Sequence, residues 1–176
     1  MIHRAAESSY DREFALSVSL DGVAQTMNLE EYITGVVLGE MPASFEMEAL
    51  KAQAVVARTY AMKRLSEGIR HDQGAVCTDP GCCQAYIAPE DYLKGQETAE
   101  DVARITNAVQ ATAGQRLTYQ GELAEATYFS CSGGRTEDAA AVWGTDIPYL
   151  QAVDSPGEEQ ALPYRKTISF TAAEFA

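Results

Sequence analysis

Basic residues and histidines are scarce in this chain. It holds 13 lysines and arginines against 26 aspartates and glutamates, which gives its 176 residues a formal net charge of −13. Such an excess of carboxylates repels the phosphate backbone of nucleic acids, and no local cluster of basic residues compensates for it. We therefore predict no nucleic-acid partner.

Long apolar runs and several common catalytic motifs are also missing. No segment has the length of a membrane span, and the N-terminus lacks the apolar region of a signal peptide. Ser-His chemistry is poorly supported, because there are two histidines and no G-x-S-x-G sequence. A cysteine nucleophile formed by Cys131 with His71 has no local signature. Phosphate-loop and dinucleotide-binding motifs are absent as well.

The composition that remains is that of a globular domain. It is 46% hydrophobic and 22% charged, and the chain is long enough to bury a core. Residues 13–27 alternate apolar and polar side chains about Asp21 and Gly22. This alternation around an Asp-Gly pair predicts a β-hairpin.

A first helix is predicted directly after the hairpin. Asn28 is a favourable N-cap, and Glu31 stands at the position that would complete a capping box. Pro42 disfavours helical backbone at the residue before it, so the helix should end close to Glu40. Glu40 is then either the last solvated residue of the helix or an acid placed there for chemistry.

A longer helix is predicted within residues 46–68, with Gly68 as the residue just past its end. Its apolar stripe is expected to comprise Leu50, Val55, Val56, Ala61, Met62 and Leu65. Arg58 lies within this helix, either on the solvated surface or buried with a carboxylate partner. The Ala-rich composition predicts that this helix is the central one.

The remaining elements complete an α+β pattern, with helices grouped early and strands at both ends. The sequence predicts a loop-rich excursion over 69–96, a helix over 97–112, two strands about Gln120 and Gly121, a strand over 166–170 and a helix capped by Thr171. The Thr171 cap and the helix after it fall within the last six residues, 171–176. We therefore expect a single domain over 1–176 whose natural chain continues further.

Three of the four cysteines cluster beside His71 in the sequence HDQGAVCTDPGCCQAY. The Pro80-Gly81 turn folds the later cysteines back toward Cys77. Thiolates and imidazole suit zinc, but the spacing matches no common zinc-finger pattern. Two interpretations stay open. One is a zinc site with ligands His71, Cys77 and Cys83 and with Cys82 or water in the fourth position. The other is a disulfide from Cys77 to Cys82 or Cys83.

A polar, glycine-rich loop, SCSGGRTED, follows the second pair of predicted strands. Its hydroxyl groups and its adjacent glycines offer many hydrogen-bonding groups and allow a close approach of backbone to a ligand. The loop is either part of a binding site or a capped turn before a short helix starting at Thr136.

Three blocks of sequence together resemble the SpoIID/LytB domain family. They are LEEYITGVVLGEMPASFEMEALKAQAVVARTYA, the Cys/His segment, and TYFSCSGGRTEDAAAVWGTDIPYLQAVDSP. The resemblance implies a lytic transglycosylase that cleaves MurNAc–GlcNAc bonds of peptidoglycan and leaves a 1,6-anhydro-MurNAc end. The family's catalytic acid lies in its GEMP motif, which here places it at Glu40.

One carboxyl group suffices for such a reaction, because it acts first as an acid and then as a base. Protonated Glu40 would donate to the glycosidic oxygen, and its carboxylate would then accept the proton of the MurNAc C6 hydroxyl. The apolar neighbours of Glu40 and its position at a helix C-terminus would favour the protonated form.

The resemblance also assigns other residues. Arg58 matches a family arginine and is expected to assist catalysis, indirectly through Glu40 or by holding the lactyl carboxylate of MurNAc. A structural, non-catalytic zinc at His71, Cys77 and Cys83 becomes the favoured interpretation. The expected substrate-binding residues are Gln84, Tyr86, Ser130, Ser132, Gly134 and Thr136, the last four forming a cleft wall opposite Glu40.

The biological setting implied by the resemblance is extracytoplasmic and faces the cell wall. The expected partners are glycan strands stripped of stem peptides and an amidase that acts with the enzyme. Family members usually carry an N-terminal membrane anchor and continue beyond the point where this chain ends, so the natural protein is expected to be anchored. The alternative is a module that binds glycan without cutting it and stimulates another cell-wall hydrolase.

Overall fold

The computed structural model describes residues 2–4, 14–68, 71, 74–160 and 167–175. The chain divides into two compact units, Met1–Thr127 and Tyr128–Ala176. Helices and small sheets occur together in the first unit, which confirms the α+β class. In the described part of the chain, no helix is long and apolar enough to cross a membrane.

The predicted hairpin forms the first sheet of the larger unit. Strands β2 (Ala15–Leu20) and β3 (Val23–Asn28) pair antiparallel, and Asp21 and Gly22 take positive φ angles of 50° and 80°. Two-residue turns of this kind match the right-handed twist of the strands. The short strand β4 (Val76–Cys77) adds to the other edge of β2 in parallel.

Helix α1 (Leu29–Glu40) begins and ends where the sequence predicts. Asn28 caps it by accepting the Glu30 N–H at 2.9 Å, one residue earlier than the predicted capping-box partner. Met41, which precedes Pro42, is extended with φ −142° and ψ 128°. Eight residues of this helix, from Leu29 to Leu38, are buried.

Helix α2 (Met47–Ser66) fully buries only Leu50 and Ala61 of the predicted stripe. Its buried residues are Leu50, Gln53, Ala54, Ala57, Arg58, Thr59 and Ala61, whereas Val55, Val56, Met62 and Leu65 are only half-buried. The alanine face packs against α1 and against the later helix α4 (Ala99–Ala111), since small side chains allow helix axes to approach closely. Gly68 follows the helix with φ 95°, as expected.

Helix α4 (Ala99–Ala111) and a second small sheet complete the first unit. Thr98 and Asp101 form a full capping box, so the predicted helix over 97–112 is confirmed within two residues. Strand β5 (Leu117–Tyr119) lies between β1 (Ile2–Arg4) and β6 (Glu122–Leu123), antiparallel to both. The excursion over 69–96 contains only β4 and the four-residue helix α3 (Pro89–Tyr92) in its described part.

Two local predictions in the second unit are wrong. The short helix α5 (Ala139–Trp143) begins at Ala139, because Thr136 instead exchanges hydrogen bonds with Val153. Residues 167–170 form no strand, and residue 166 lies outside the described residues. The Thr171 cap is confirmed, with Glu174 completing a capping box before α6 (Ala172–Phe175).

Candidate functional site

Glu40 is the last residue of α1 and lines an open groove of about 440 Å³. The residues around the groove are Leu38, Gly39, Met41, Pro42, Ala43, Ser44, Ile87, Tyr92, Glu97 and Asp101. The half-buried carboxylate accepts the Ala85 backbone N–H through Oε1 at 2.8 Å. The end of the helix and the backbone of a distant segment therefore fix the orientation of this acid together.

Two glycines on α1 allow that distant segment, residues 84–87, to lie against the helix. A Cβ at Gly39 would stand 3.0 Å from backbone atoms of Ala85 and Tyr86, and one at Gly35 would overlap the Tyr86 ring at 2.2 Å. The Ile87 N–H donates to the Gly35 carbonyl at 3.0 Å. The two glycines lie four residues apart on one face of α1 and form the surface against which the segment that contacts Glu40 packs.

The predicted substrate-binding residues Gln84 and Tyr86 belong to this segment. Gln84 is only 1% exposed, and its Oε1 lies 3.5 Å from the Tyr32 hydroxyl, so it packs in the interior. Tyr86 is half-buried, and its ring stacks on Tyr32 with 5.8 Å between centroids. In this conformation, Gln84 supports the segment from inside.

Arg58 is fully buried and forms a two-pronged ion pair with Glu30 of α1. Its Nε and Nη2 donate to the two carboxylate oxygens at 2.8 and 2.6 Å. Further bonds go to the carbonyls of Ala54, Val109 and Gln115. The buried alternative is thus the observed one, and none of the contacts described for Arg58 reaches Glu40 or solvent.

The Cys/His segment gathers four metal-binding side chains in one place. The donor atoms of His71, Cys77, Cys82 and Cys83 all lie within 4.8 Å of one another, and His71 Nε2 is 3.2 Å from Cys83 Sγ. The pairing of β4 with β2 places Cys77. A turn at Asp79, whose carbonyl accepts the N–H groups of Cys82 and Cys83, places the other two.

This donor set fits a metal ion. A tetrahedral zinc site with bonds of about 2.3 Å has donors about 3.8 Å apart, which a small contraction of the cluster would reach. All four cysteines of the chain are free thiols, so the disulfide alternative is not the observed state. Burial, with Cys82 and Cys83 nearby, raises the pKa of the Cys77 thiol to about 12. A metal would have to displace that proton.

The cluster contains one more residue than the predicted ligand set. The sequence leaves Cys82 and water as alternatives for the fourth position, because adjacent cysteines rarely bind one metal together. The turn at Asp79 brings both thiols to the same side, although Cys82 is exposed. Cys83 directly precedes the 84–87 segment, so the metal candidate and the Glu40 contact are two residues apart in sequence.

The polar loop of the second unit encloses a carboxylate of its own chain. Ser132 and Gly134 donate their backbone N–H groups to Glu158, at 2.9 and 2.8 Å to Oε2. The hydroxyls of Ser132 and Ser155 add bonds of 2.7 and 3.0 Å. These bonds, foremost those from Ser132, lower the pKa of Glu158 to about 2.

The other predicted residues of this loop have simpler surroundings. Ser130 is exposed, and Thr136 accepts the Val153 N–H at 2.8 Å. Because Glu40 lies in the first unit and the loop in the second, the predicted cleft wall opposite Glu40 stays a prediction.

The helix-end acid Glu40, the glycine face of α1 and the Cys/His cluster are the distinguishing features of the larger, α+β unit. A family model described as "SpoIID: Stage II sporulation protein" matches residues 21–119, more than half of the chain. The chain belongs to the SpoIID family.

Three relatives illustrate the similarity. Stage II sporulation protein D of Bacillus subtilis (strain 168) is 41% identical over 155 residues, and that of Bacillus amyloliquefaciens is 40% identical over 155 residues. Each alignment covers 86% of this chain but 45% of the relative, so the chain spans just under half of their length. The "Amidase enhancer" of Bacillus subtilis is 38% identical over 120 residues, 68% of this chain and 14% of its own.

Proposed function

We propose that this chain is the catalytic domain of a peptidoglycan lytic transglycosylase and that Glu40 is its acid and base. The observation that carries the proposal is a carboxylate at the end of a helix, in an open groove, held by the Ala85 N–H. The kinship with proteins named for sporulation stage II supports a cell-wall role in sporulation. Glycan strands stripped of stem peptides are the substrate class.

The chemistry needs one acid placed beside the glycosidic bond. Glu40 donates its proton to the leaving GlcNAc oxygen as positive charge develops at the anomeric carbon. The resulting carboxylate takes the proton of the MurNAc C6 hydroxyl as that oxygen forms the new bond to the same carbon. The proton count balances, and no water enters, so the product carries an anhydro end.

The other groups position Glu40. Zinc bound by His71, Cys77, Cys82 and Cys83 would supply a fixed cross-link at the root of the 84–87 segment. This segment holds the Glu40 carboxylate, and the ion pair of Arg58 with Glu30 ties α1 to α2. Arg58 therefore acts as a positioning residue in this proposal.

A glycan-binding module without cleavage is the second candidate. The similarity to a protein named "Amidase enhancer" favours it, because that name describes assistance to another enzyme. A partner amidase is compatible with both candidates. Both also require an extracytoplasmic location facing the cell wall.

Mass spectrometry of denuded glycan strands incubated with the chain separates these functions. We expect fragments that are lighter by one water than hydrolysis products, and we expect Glu40→Gln to abolish them. Glu48→Gln is the matched control, since Glu48 has an 83% exposed side chain on the adjacent helix. Fragments with ordinary reducing ends would contradict the cyclisation, and glycan binding without cleavage would favour the second candidate.

A further inference from the structure

The loop at residues 131–134 is a concave set of hydrogen-bond donors filled by a carboxylate. Both oxygens of Glu158 are engaged: Oε1 accepts from Ser132 N and Ser155 Oγ, each at 3.0 Å. Oε2 accepts from Ser132 N, Ser132 Oγ and Gly134 N, with Cys131 Sγ at 3.6 Å. We call these donors, from residues 131–134 and Ser155, the carboxylate nest.

The backbone of the nest depends on its glycines. Gly133 and Gly134 take φ angles of 83° and 105°, which other residues rarely adopt. Successive N–H groups that converge in such a turn make an anion-binding concavity. Glu158 comes from a short 3-10 turn, Glu158–Gln160, at the surface, and it is only half-buried. The carboxylate that occupies the nest therefore belongs to a side chain within reach of solvent.

Cationic side chains offer few alternatives for binding an acidic ligand. Every lysine and arginine side chain that the structure describes already has an acceptor in the protein. These are carboxylates for Lys51, Arg58, Lys63, Arg64, Lys94 and Arg135, and carbonyls for Arg104 and Arg116. With a net charge of −13, the chain repels acidic ligands at long range.

We propose that the carboxylate nest is a binding site for a carboxylate of the glycan ligand and that Glu158 occupies it when no ligand is bound. The class of ligand rests on the proposed function, because MurNAc carries an ionised lactyl carboxylate and GlcNAc does not. Backbone N–H and hydroxyl donors bind a carboxylate without requiring a lysine or arginine. The lactyl group displaces Glu158, whose carboxylate then returns to solvent.

This exchange makes Glu158 an internal competitor. A tethered group acts at a high effective concentration, so the ligand's apparent affinity falls by the fraction of time that the nest is filled. Removing the Glu158 carboxylate should therefore strengthen binding of an acidic sugar about tenfold or more. A purely structural tie between Glu158 and the loop would have the opposite effect.

The test is an NMR titration of the whole chain, following the backbone amides of Ser132 and Gly134. The variants are Glu158→Ala, the shape-conserving Glu158→Gln, and the matched control Glu159→Ala in the same turn. The probes are N-acetylmuramic acid, the uncharged N-acetylglucosamine, and N-acetyl-D-alanyl-D-alanine as a stem-peptide carboxylate. Spectra without probe establish that each variant is folded.

We expect N-acetylmuramic acid to shift both amide resonances and to bind Glu158→Ala about tenfold more tightly than the native chain or Glu159→Ala. We expect N-acetylglucosamine to leave both resonances unchanged. Shifts caused by the dipeptide alone would overturn the assignment to the sugar. No shift in either folded Glu158 variant would overturn the nest as a ligand site. The titration involves no cleavage, so its failure is distinct from a failure of Glu40 as the acid.

Discussion

At the scale of single residues, the buried ion pair of Arg58 with Glu30 bears most directly on stability. The guanidinium is 0% exposed, and the carboxylate belongs to the helix that ends at Glu40. Removing one partner of a buried pair leaves the other charge uncompensated, which costs far more than the pair itself contributes. The packing of α1 against α2 should therefore be sensitive to a substitution that removes the charge of either partner.

We predict that Glu30→Gln lowers the free energy of unfolding by about 3–5 kcal/mol, because Arg58 stays buried without its counter-charge. Glu48→Gln, which removes the exposed partner of Lys51, should change it by about 1 kcal/mol or less. Urea unfolding followed by circular dichroism measures both. Equal effects of the two variants would contradict the importance of burial.

A second prediction at this scale concerns the pH dependence of Glu158. Its pKa is lowered from the ordinary 4.5 to about 2 by the nest donors, so the unfolded chain binds this proton more readily than the folded one. The contribution of Glu158 to stability is therefore complete above pH 4.5 and is lost as the pH falls toward 2. NMR titration of the Glu158 side chain measures the midpoint, and a value near 4.5 would contradict the bonds to Ser132 and Gly134.

At the scale of elements, the packing of residues 84–87 on α1 decides how Glu40 is held. We predict that Gly39→Ala lowers kcat for glycan cleavage about tenfold to a hundredfold with little change in KM. The added Cβ would displace Ala85, which holds the carboxylate, by a few tenths of an ångström. Steady-state kinetics on denuded strands give both constants.

The matched control for that variant is Gly121→Ala. Gly121 has φ 90° and no atom within 4 Å of an added Cβ, so the variant is strained, but it lies in the turn between β5 and β6 and not on α1. It should lose stability and keep kcat per folded molecule. A parallel fall of kcat in both variants would mean that the Gly39 effect is a general loss of stability.

The Cys/His cluster belongs to the same scale, since it joins β4 to the 84–87 segment. We predict one zinc ion per chain by elemental analysis, with its loss in Cys83→Ser and its retention in Cys131→Ser, because Cys131 lies outside the cluster. Removal of the metal should speed hydrogen exchange at the amides of Ala85 and Ile87. Full zinc content in the Cys83 variant would contradict the assignment.

At the scale of the whole molecule, net charge affects the affinity of the chain for an acidic polymer. We predict that binding to denuded glycan strands strengthens when ionic strength rises from about 10 to 150 mM, as the screening length falls from about 30 to 8 Å. Repulsion by the −13 charge weakens over that range. Neutral chitin oligosaccharides are the control and should show no change in affinity. A weaker affinity for the strands at higher salt would show that cationic contacts dominate.

Much of the fold is readable from local sequence. The Asp21-Gly22 turn, the Asn28 and Thr98 caps and the stop at Pro42 act within a few residues, so they are predictable without tertiary information. The buried face of α2 was predicted only in part, because alanines score weakly as apolar residues yet allow the close helix packing observed here. Residues 167–170 have a strand-like composition but form no strand, because composition alone does not supply a neighbouring strand to pair with.

The sequence by itself determined the hairpin, the three long helices, the family and the candidate acid, because caps, turns and the GEMP motif are short-range patterns. Only the tertiary structure decided which groups surround them. The Glu30 partner of Arg58, the Ala85 N–H at Glu40 and the Glu158 carboxylate in the nest lie 28, 45 and 26 positions from the groups they meet. Contacts at such separations arise when the chain buries its core, and no local pattern encodes them.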